Sequence, residues 1–306
     1  MAETSPAARI LVVPGRPWLQ DAVRAGGAEP VTEGPADAVV WTDPKDPEGL
    51  RRLLDERPEI DWVQLPWAGI EPYVGVLDHD RRWTCGKGVY AEPVAEQALM
   101  LGLAGLRGMG TYARATTWEG PIGRNLLGAR VVVVGAGGIT ESLVRLLEPF
   151  GCEVVVVRRT ERPFPGASRT VALAQLDDEL PSADLVVLAV ALTPETDGLV
   201  DERRLRLLPA HAWLVNVARG RHVVTDDLVR VLAEGAIGGA GLDVTDPEPL
   251  PDGHPLWTEP RCLLTPHVGN TPEMAVPLLS TRVRENVRRY LAGEELLGPV
   301  DVDAGY

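Results

Sequence analysis

The sequence predicts an α/β fold made of two doubly wound parallel-sheet domains with a cleft between them. Three observations lead there. The chain has 306 residues, enough for two domains of ordinary size. Short, continuous runs of Val, Ile and Leu recur along it, and strands read this way when helices cover both faces of a parallel sheet. Segments with helical periodicity and capping signals alternate with those runs.

In chain order, strands are expected at 9–13 (RILVV), 37–41 (DAVVW) and 61–65 (DWVQL). A long, mostly apolar helix follows at 92–109. Further strands are expected at 129–137, 153–157, 183–190 and 212–217. The segment TDDLVRVLAEG reads as a helix with Thr225 as N-cap, two acids in the first turn and Gly235 just past the end. Strands at 238–244 and 261–265 come next, then a final amphipathic helix at 272–294 with Pro277 as a candidate break. The expected division is a discontinuous substrate-binding domain, 1–92 plus 272–306, and a dinucleotide-binding domain, 93–271.

Hydrophobic residues make up 45% and charged residues 24%, which is ordinary for a globular protein. The net charge of −14, with no Lys/Arg block, argues against nucleic acid or an anionic membrane as partner. A small anionic ligand stays open, since it needs only a few local cations. The three cysteines, Cys85, Cys152 and Cys262, are widely spaced and form no C-x-x-C, so neither a disulfide framework nor a metal site is expected. A reducing cytoplasm fits this usage. The first residues, MAETSPAARILVV, lack the pattern of a secretory leader, and no apolar run approaches the ~18 residues of a membrane span.

The stretch VVVVGAGGITESLVRLL puts Gly135, Gly137 and Thr140 at the three positions of G-x-G-x-x-G, between a strand and a helix. The first glycine permits a tight turn. The second lets backbone approach a pyrophosphate, and the helix N-terminus, with Gly138 and Ile139, stabilises its charge. Thr140 takes the place of the usual third glycine, so the helix is expected to stand slightly further from the sheet. The next strand, EVVVV, ends in Arg158, Arg159 and Thr160 where an NAD site has a carboxylate. Guanidinium groups pair with a 2′-phosphate, whereas a carboxylate would repel it. NADP(H) is therefore expected over NAD(H), with NAD(H) as a second possibility. Thr193 is a further cofactor candidate, with helix capping as the other role for Thr193 and Thr196.

Three later strands each lead to a candidate catalytic group: AWLVNVARG carries Arg219, with Val217 and Ala218 before it as cofactor candidates, GLDVTDPEPLP carries Asp243 and then Glu248, and LLTPHVGN carries His267. In open α/β sheets, ligands bind outside the carboxyl ends of the strands, so these groups share a rim with the glycine turn. Together they suit reduction of a 2-oxo acid by a nicotinamide cofactor. Arg219 can hold the substrate carboxylate and His267 can act as general acid, with Glu248 orienting the imidazolium. Asn270 stands where small residues are common and is a candidate for touching substrate or cofactor. His211, His222 and His254 show no such constellation.

The segments VAEQALMLGLAGLR, NLLGARVVVVGAGGI, AVALTPETDGLV, VNVARG, GLDVTDPEPLP and PLWTEPRCLLTPHVGN, in this order, resemble the signatures of the D-isomer-specific 2-hydroxyacid dehydrogenase family. The likeness covers about residues 60 to 292. It implies catalytic roles for Arg219, Glu248 and His267, and contact of Asp243 with the nicotinamide carboxamide. It also implies a substrate-carboxylate loop at Trp67, Ala68 and Gly69, with Arg219 and His267 as further substrate contacts. A homodimer is implied as well. VVVVRRTERPFPG is most similar to the NADPH-dependent glyoxylate/hydroxypyruvate reductase subgroup. The expected function is reduction of a small 2-oxo acid by NADPH in the cytoplasm. Rival readings are an NADP(H)-sensing interaction protein without turnover, or a specialised biosynthetic dehydrogenase for a larger or phosphorus-containing acid. The formate dehydrogenase branch is disfavoured, because it pairs its histidine with glutamine and this chain has Glu248.

Overall fold

The computed structural model describes residues 8–303. The first seven residues, part of the stretch read as leader-free, lie outside the described residues. The strands are β1 Arg9–Val13, β2 Glu29–Val31, β3 Ala38–Trp41, β4 Trp62–Gln64, β5 Arg82–Thr84, β6 Arg130–Val134, β7 Glu153–Arg158, β8 Arg169–Ala172, β9 Leu185–Leu188, β10 Trp213–Asn216, β11 Gly239–Leu242 and β12 Cys262–Leu264. The helices are α1 Pro17–Gly26, α2 Pro47–Glu56, α3 Ala91–Leu106, α4 Met109–Tyr112, α5 Gly138–Leu147, α6 Leu176–Glu179, α7 Glu202–Leu205, α8 Thr225–Glu234 and α9 Pro272–Ala292.

The chain forms two compact units, one up to Tyr90 together with the segment from Thr271, the other Ala91–Asn270. The first holds a five-stranded sheet in the order β2-β1-β3-β4-β5. The second holds seven strands in the order β12-β11-β10-β9-β6-β7-β8. Every strand pairing in both sheets is parallel, so the two expected parallel-sheet α/β domains are present. In the larger sheet the strand order reverses at β6 and β9, and the glycine turn leaves the sheet beside that switch point.

The continuous Val runs have a simple cause. Alternate residues of β6 enter opposite layers: Val131 and Val133 pack in one core with Ala95, Ala98 and Leu101 of α3, while Val132 and Val134 pack in the other with Leu228, Val231 and Leu232 of α8. Both faces are thus apolar, and burying each such side chain contributes about 1.5–3 kcal/mol. β2, β5 and β8 were not read from sequence. All three are short edge strands, which need no run of apolar residues.

Three local expectations are corrected. Thr225 is not the N-cap of α8; Val224 is, and the Thr225 hydroxyl instead donates to the Asp246 carbonyl at 2.5 Å. Pro277 does not break α9, which runs unbroken from Pro272 to Ala292. It sits in the second turn, where its missing N–H removes one hydrogen bond near the helix start. The apolar helix expected to reach 109 ends at Leu106, and Gly108 with φ +67 turns the chain into α4.

Candidate active site

The carboxyl ends of β10, β11 and β12 lie side by side at one edge of the larger sheet, because the three strands are parallel neighbours. Arg219, Asp243 and His267 leave the sheet there. His267 is the one described non-glycine residue in the left-handed region, with φ +54. A side chain there is uncommon, so surrounding bonds must hold it. The His267 N–H donates to the Asp243 carbonyl at 2.8 Å. The Asp243 carboxylate, 3% exposed, does the rest. Its Oδ1 accepts from the Thr265 hydroxyl (2.6 Å), the Val268 N–H (3.0 Å) and the Gln97 amide (3.2 Å). Its Oδ2 accepts from the Gly269 N–H at 2.9 Å. Gln97 also donates to Thr265 at 2.9 Å, which ties the turn to α3.

Held in this way, the imidazole meets Glu248: Nδ1 and Oε1 are 2.7 Å apart. Both side chains are about half exposed, at 52% and 43%, so the pair opens to solvent. Glu248 comes from the loop after β11, and that loop is packed against the Arg219 turn. A side chain at Gly220 would put its Cβ 1.9 Å from the Thr245 carbonyl oxygen, so only glycine allows the approach. Asn216, fully buried at the end of β10, shapes the same turn: its Nδ2 donates to the Arg219 carbonyl at 2.8 Å and its Oδ1 accepts from the Ala218 N–H at 3.0 Å. Arg219 is partly buried, with Nη1 donating to the Ala218 carbonyl at 2.8 Å, and Val217 and Ala218 are buried beside it.

His222, which showed no constellation in the sequence, is fully buried. Its ring nitrogens lie 2.9 Å from the Thr196 carbonyl and 3.0 Å from the Val190 carbonyl. It braces the Arg219 turn against the loop after β9. His211 likewise has a partner, Asp184 Oδ1 at 2.8 Å, and the His254 ring accepts from the Leu256 N–H at 3.3 Å. Thr193 and Thr196 cap no helix; they close a turn on themselves, the Thr193 N–H donating to Thr196 Oγ1 at 2.8 Å.

The glycine turn can be tested for its fit to a dinucleotide. Gly135 has φ +116, and a Cβ there would stand 2.1 Å from the Ala189 carbonyl oxygen, so the turn closes tightly on the switch point. Beside Gly137, by contrast, a Cβ would meet nothing within 4 Å. No side chain caps the N-terminus of α5, whose first residues are Gly138 and Ile139. Open space in front of uncapped amides is what a pyrophosphate requires. Thr140 is fully buried and its hydroxyl donates to the Gly135 carbonyl at 3.0 Å, so the extra atoms brace the turn. Arg158 ends β7, with Arg159 and Thr160 exposed after it. The Arg159 charge also reaches Glu195, whose carboxyl lies below the usual range chiefly because the Thr193 hydroxyl donates to it. These residues fit an NADP-type dinucleotide.

In the smaller unit, the loop Trp67-Ala68-Gly69 follows β4. The Trp67 carbonyl accepts from the Gly86 N–H at 2.8 Å, and the Trp67 ring tilts over Tyr90 with centroids 5.5 Å apart. Asn270 follows the His267 turn, and its Oδ1 is a buried atom without a hydrogen-bond partner among the described residues. A cavity of about 350 Å³ lies in the loop after β7, lined by Glu161, Phe164 and Arg169 among others, and contains none of the expected catalytic residues. Among the described residues no group of His, Cys, Asp and Glu is arranged to hold a metal ion, and no helix is long and apolar enough to cross a membrane. All three cysteines are free. Sequence reasoning missed Gln97, Asn216 and Thr265. Each is a polar residue in or directly after an apolar run, and that was the available signal.

Residues 98–269 match the family model described as "D-isomer specific 2-hydroxyacid dehydrogenase, NAD binding domain". A protein of Corynebacterium melassecola, named only as an uncharacterized protein in the proB 3′ region, is 39% identical over 81% of this chain and 84% of its own length. Glyoxylate/hydroxypyruvate reductase A of Serratia proteamaculans is 29% identical over 91% of this chain and 90% of its own. Among solved structures, a D-isomer specific 2-hydroxyacid dehydrogenase from Xanthobacter autotrophicus, in complex with NADPH and MES, superposes with a TM-score of 0.83 at 28% identity. That match covers 99% of this chain and 100% of the other.

Asp243→Asn replaces one acceptor oxygen with a donor and leaves an amide of the His267 turn unpaired. The expected loss is about 1–3 kcal/mol in denaturant unfolding, with faster hydrogen exchange at the amides of 267–269. Unchanged protection there would show that the turn does not depend on the carboxylate.

Proposed function

The chain belongs to the D-isomer specific 2-hydroxyacid dehydrogenase family, and we propose that it reduces a small 2-oxo acid of the glyoxylate or hydroxypyruvate type with NADPH. The observation that carries this reading is the 2.7 Å bond between His267 Nδ1 and Glu248 Oε1. It fixes one ring nitrogen on the carboxylate and leaves Nε2 as the nitrogen that delivers a proton. When bound, NADPH supplies the hydride that the carbonyl carbon accepts. Arg219 pairs with the substrate carboxylate and polarises the carbonyl. His267 gives its proton to the oxygen as that atom gains charge, yielding the 2-hydroxy acid, and Glu248 stabilises the ring while it is charged.

The backbone amides of Trp67, Ala68 and Gly69 are proposed as further donors to the substrate carboxylate. Gly135, Gly137, Gly138 and Ile139 are proposed to hold the pyrophosphate, and Arg158, Arg159 and Thr160 the 2′-phosphate. Thr193, Val217 and Ala218 are proposed to line the cofactor. On this reading the unit up to Tyr90 with the segment from Thr271 is the substrate-binding domain, and Ala91–Asn270 the dinucleotide-binding domain. NADPH is supported by the guanidinium pair after β7 and by the NADPH complex of the Xanthobacter enzyme. The substrate class is supported by the name of the Serratia relative. Free cysteines are consistent with the cytoplasm.

A spectrophotometric screen of NADPH oxidation over glyoxylate, hydroxypyruvate, pyruvate and phenylpyruvate tests the proposal. Turnover of the first two is expected, and none across the panel would contradict it. His267→Ala should lower kcat by about 10²–10⁴ while NADPH still binds. Glu248→Gln removes the carboxylate that orients the imidazole through Nδ1, so kcat/KM should fall about tenfold or more while NADPH still binds. An unchanged kcat/KM removes Glu248 from that role.

With Arg158 and Arg159 both changed to Ala, KM for NADPH should rise about tenfold or more, with KM for NADH unaltered. Equal changes for the two cofactors would argue that these groups do not read the 2′-phosphate.

For the oligomer we propose a homodimer. Trp118 is fully exposed on the loop between α4 and β6, and Ile122 and Leu127 of the same loop are also exposed, apolar side chains suited to contact with a second copy. Sedimentation should give a dimer, and Trp118→Ser should shift it toward monomer. A monomeric parent, or a variant dimer of unchanged affinity, would refute the arrangement.

A further inference from the structure

We propose that Tyr90 and Arg282 are positioning residues for the substrate: together they aim the backbone amides of the Trp67-Ala68-Gly69 loop at the substrate carboxylate. The inference rests on the reductase reading above and deepens it, from the amides that hold the carboxylate to the side chains that orient them. All of these residues belong to the smaller unit.

The loop leaves β4 with three consecutive carbonyls drawn back into the protein. The Leu65 carbonyl accepts from Gln64 Nε2 at 2.8 Å, the Pro66 carbonyl from the Tyr90 hydroxyl at 2.7 Å, and the Trp67 carbonyl from the Gly86 N–H at 2.8 Å. The peptides after Pro66 and Trp67 are trans. A trans peptide is planar, and its N–H points opposite to its C=O. The bond to the Pro66 carbonyl therefore turns the Trp67 N–H away from Tyr90, and the bond to the Trp67 carbonyl turns the Ala68 N–H away from Gly86. Leu65 and Pro66 are buried, whereas Trp67 and Ala68 are exposed. Among the described residues, none of the Trp67, Ala68 and Gly69 amides donates to a backbone carbonyl. The loop thus presents donors on its open side because its acceptors are used on the other.

Two side chains supply this arrangement. The Tyr90 hydroxyl is buried, and burial pushes its phenol well above the usual range, so it stays a donor. Arg282 of α9 acts one step back. Its Nη1 donates to the Cys85 carbonyl and its Nη2 to the Lys87 carbonyl, both at 3.1 Å. These carbonyls flank Gly86, so the guanidinium fixes the segment whose N–H holds Trp67. The approach needs glycine: a Cβ at position 86 would stand 2.4 Å from the Pro66 carbonyl oxygen.

The kinetic signature follows from where the carboxylate sits in the reaction. It is not the group reduced, so its bonds to the loop are equally strong before and during hydride transfer. Losing such bonds raises KM and leaves kcat in place.

Steady-state kinetics of purified variants test the assignment. Tyr90→Phe removes one hydroxyl and keeps the ring beside Trp67. KM for glyoxylate should rise about fivefold or more, with kcat and KM for NADPH within about twofold of the parent. Arg282→Met removes both donors to the Gly86 segment and should give the same split, which keeps the test intact if the Tyr90 variant does not fold. An unchanged KM for glyoxylate in a folded variant overturns the assignment. So does a variant whose kcat and KM for NADPH move in step with KM for glyoxylate, because that marks a general structural role. A parent that reduces no 2-oxo acid overturns the reductase reading itself and the assignment with it.

Discussion

One buried carboxylate governs the site. Asp243 gathers two backbone amides, a hydroxyl and a side-chain amide, and in doing so holds His267 in a left-handed conformation that its own sterics disfavour. Burying a carboxylate is costly unless its oxygens are satisfied, and charge-assisted bonds to N–H groups are among the stronger ones available. The arrangement is thus self-consistent: the turn satisfies the charge, and the charge fixes the turn. The 2.7 Å approach of the imidazole to Glu248 follows from where that turn leaves the ring.

The neighbouring parts depend on the same economy of space. Gly220 lets the Arg219 turn press on the loop that carries Glu248, and buried Asn216 fixes that turn from inside the sheet end. His222 adds a strut to the loop after β9. In the proposed reduction, these contacts set where a carboxylate-binding guanidinium and a proton-donating imidazole stand before any ligand arrives. A preset arrangement of this kind is what catalysis by positioning needs. The chain's overall charge of −14 does not oppose binding of anions, because the groups proposed to hold them are local: Arg219 at one sheet end, Arg158 and Arg159 after β7.

Much of the fold was legible because β6, β7 and β10 are covered on both faces and so write their burial as unbroken Val and Leu runs. Edge strands β2, β5 and β8 left no such mark. His267, Glu248 and Arg219 stood out as charged residues just past apolar strands. Their supports did not, since a polar residue in an apolar helix, such as Gln97, reads the same whether it braces a turn or faces water. Thr225 shows the limit of capping signals: its hydroxyl found a tertiary acceptor, the Asp246 carbonyl, that local sequence does not reveal. Thr140 was legible as a departure from the glycine pattern, but its bond to the Gly135 carbonyl could be seen only in three dimensions.

The most direct test of the whole account is a crystal structure of the protein with NADP⁺ and oxamate, an unreactive mimic of a 2-oxo acid. The expected result has oxamate beside the nicotinamide, its carboxylate on the Arg219 guanidinium and its carbonyl oxygen within hydrogen-bond distance of His267 Nε2, with Nδ1 still on Glu248. Oxamate bound away from these groups, or His267 turned from the nicotinamide with the Glu248 contact broken, would contradict it.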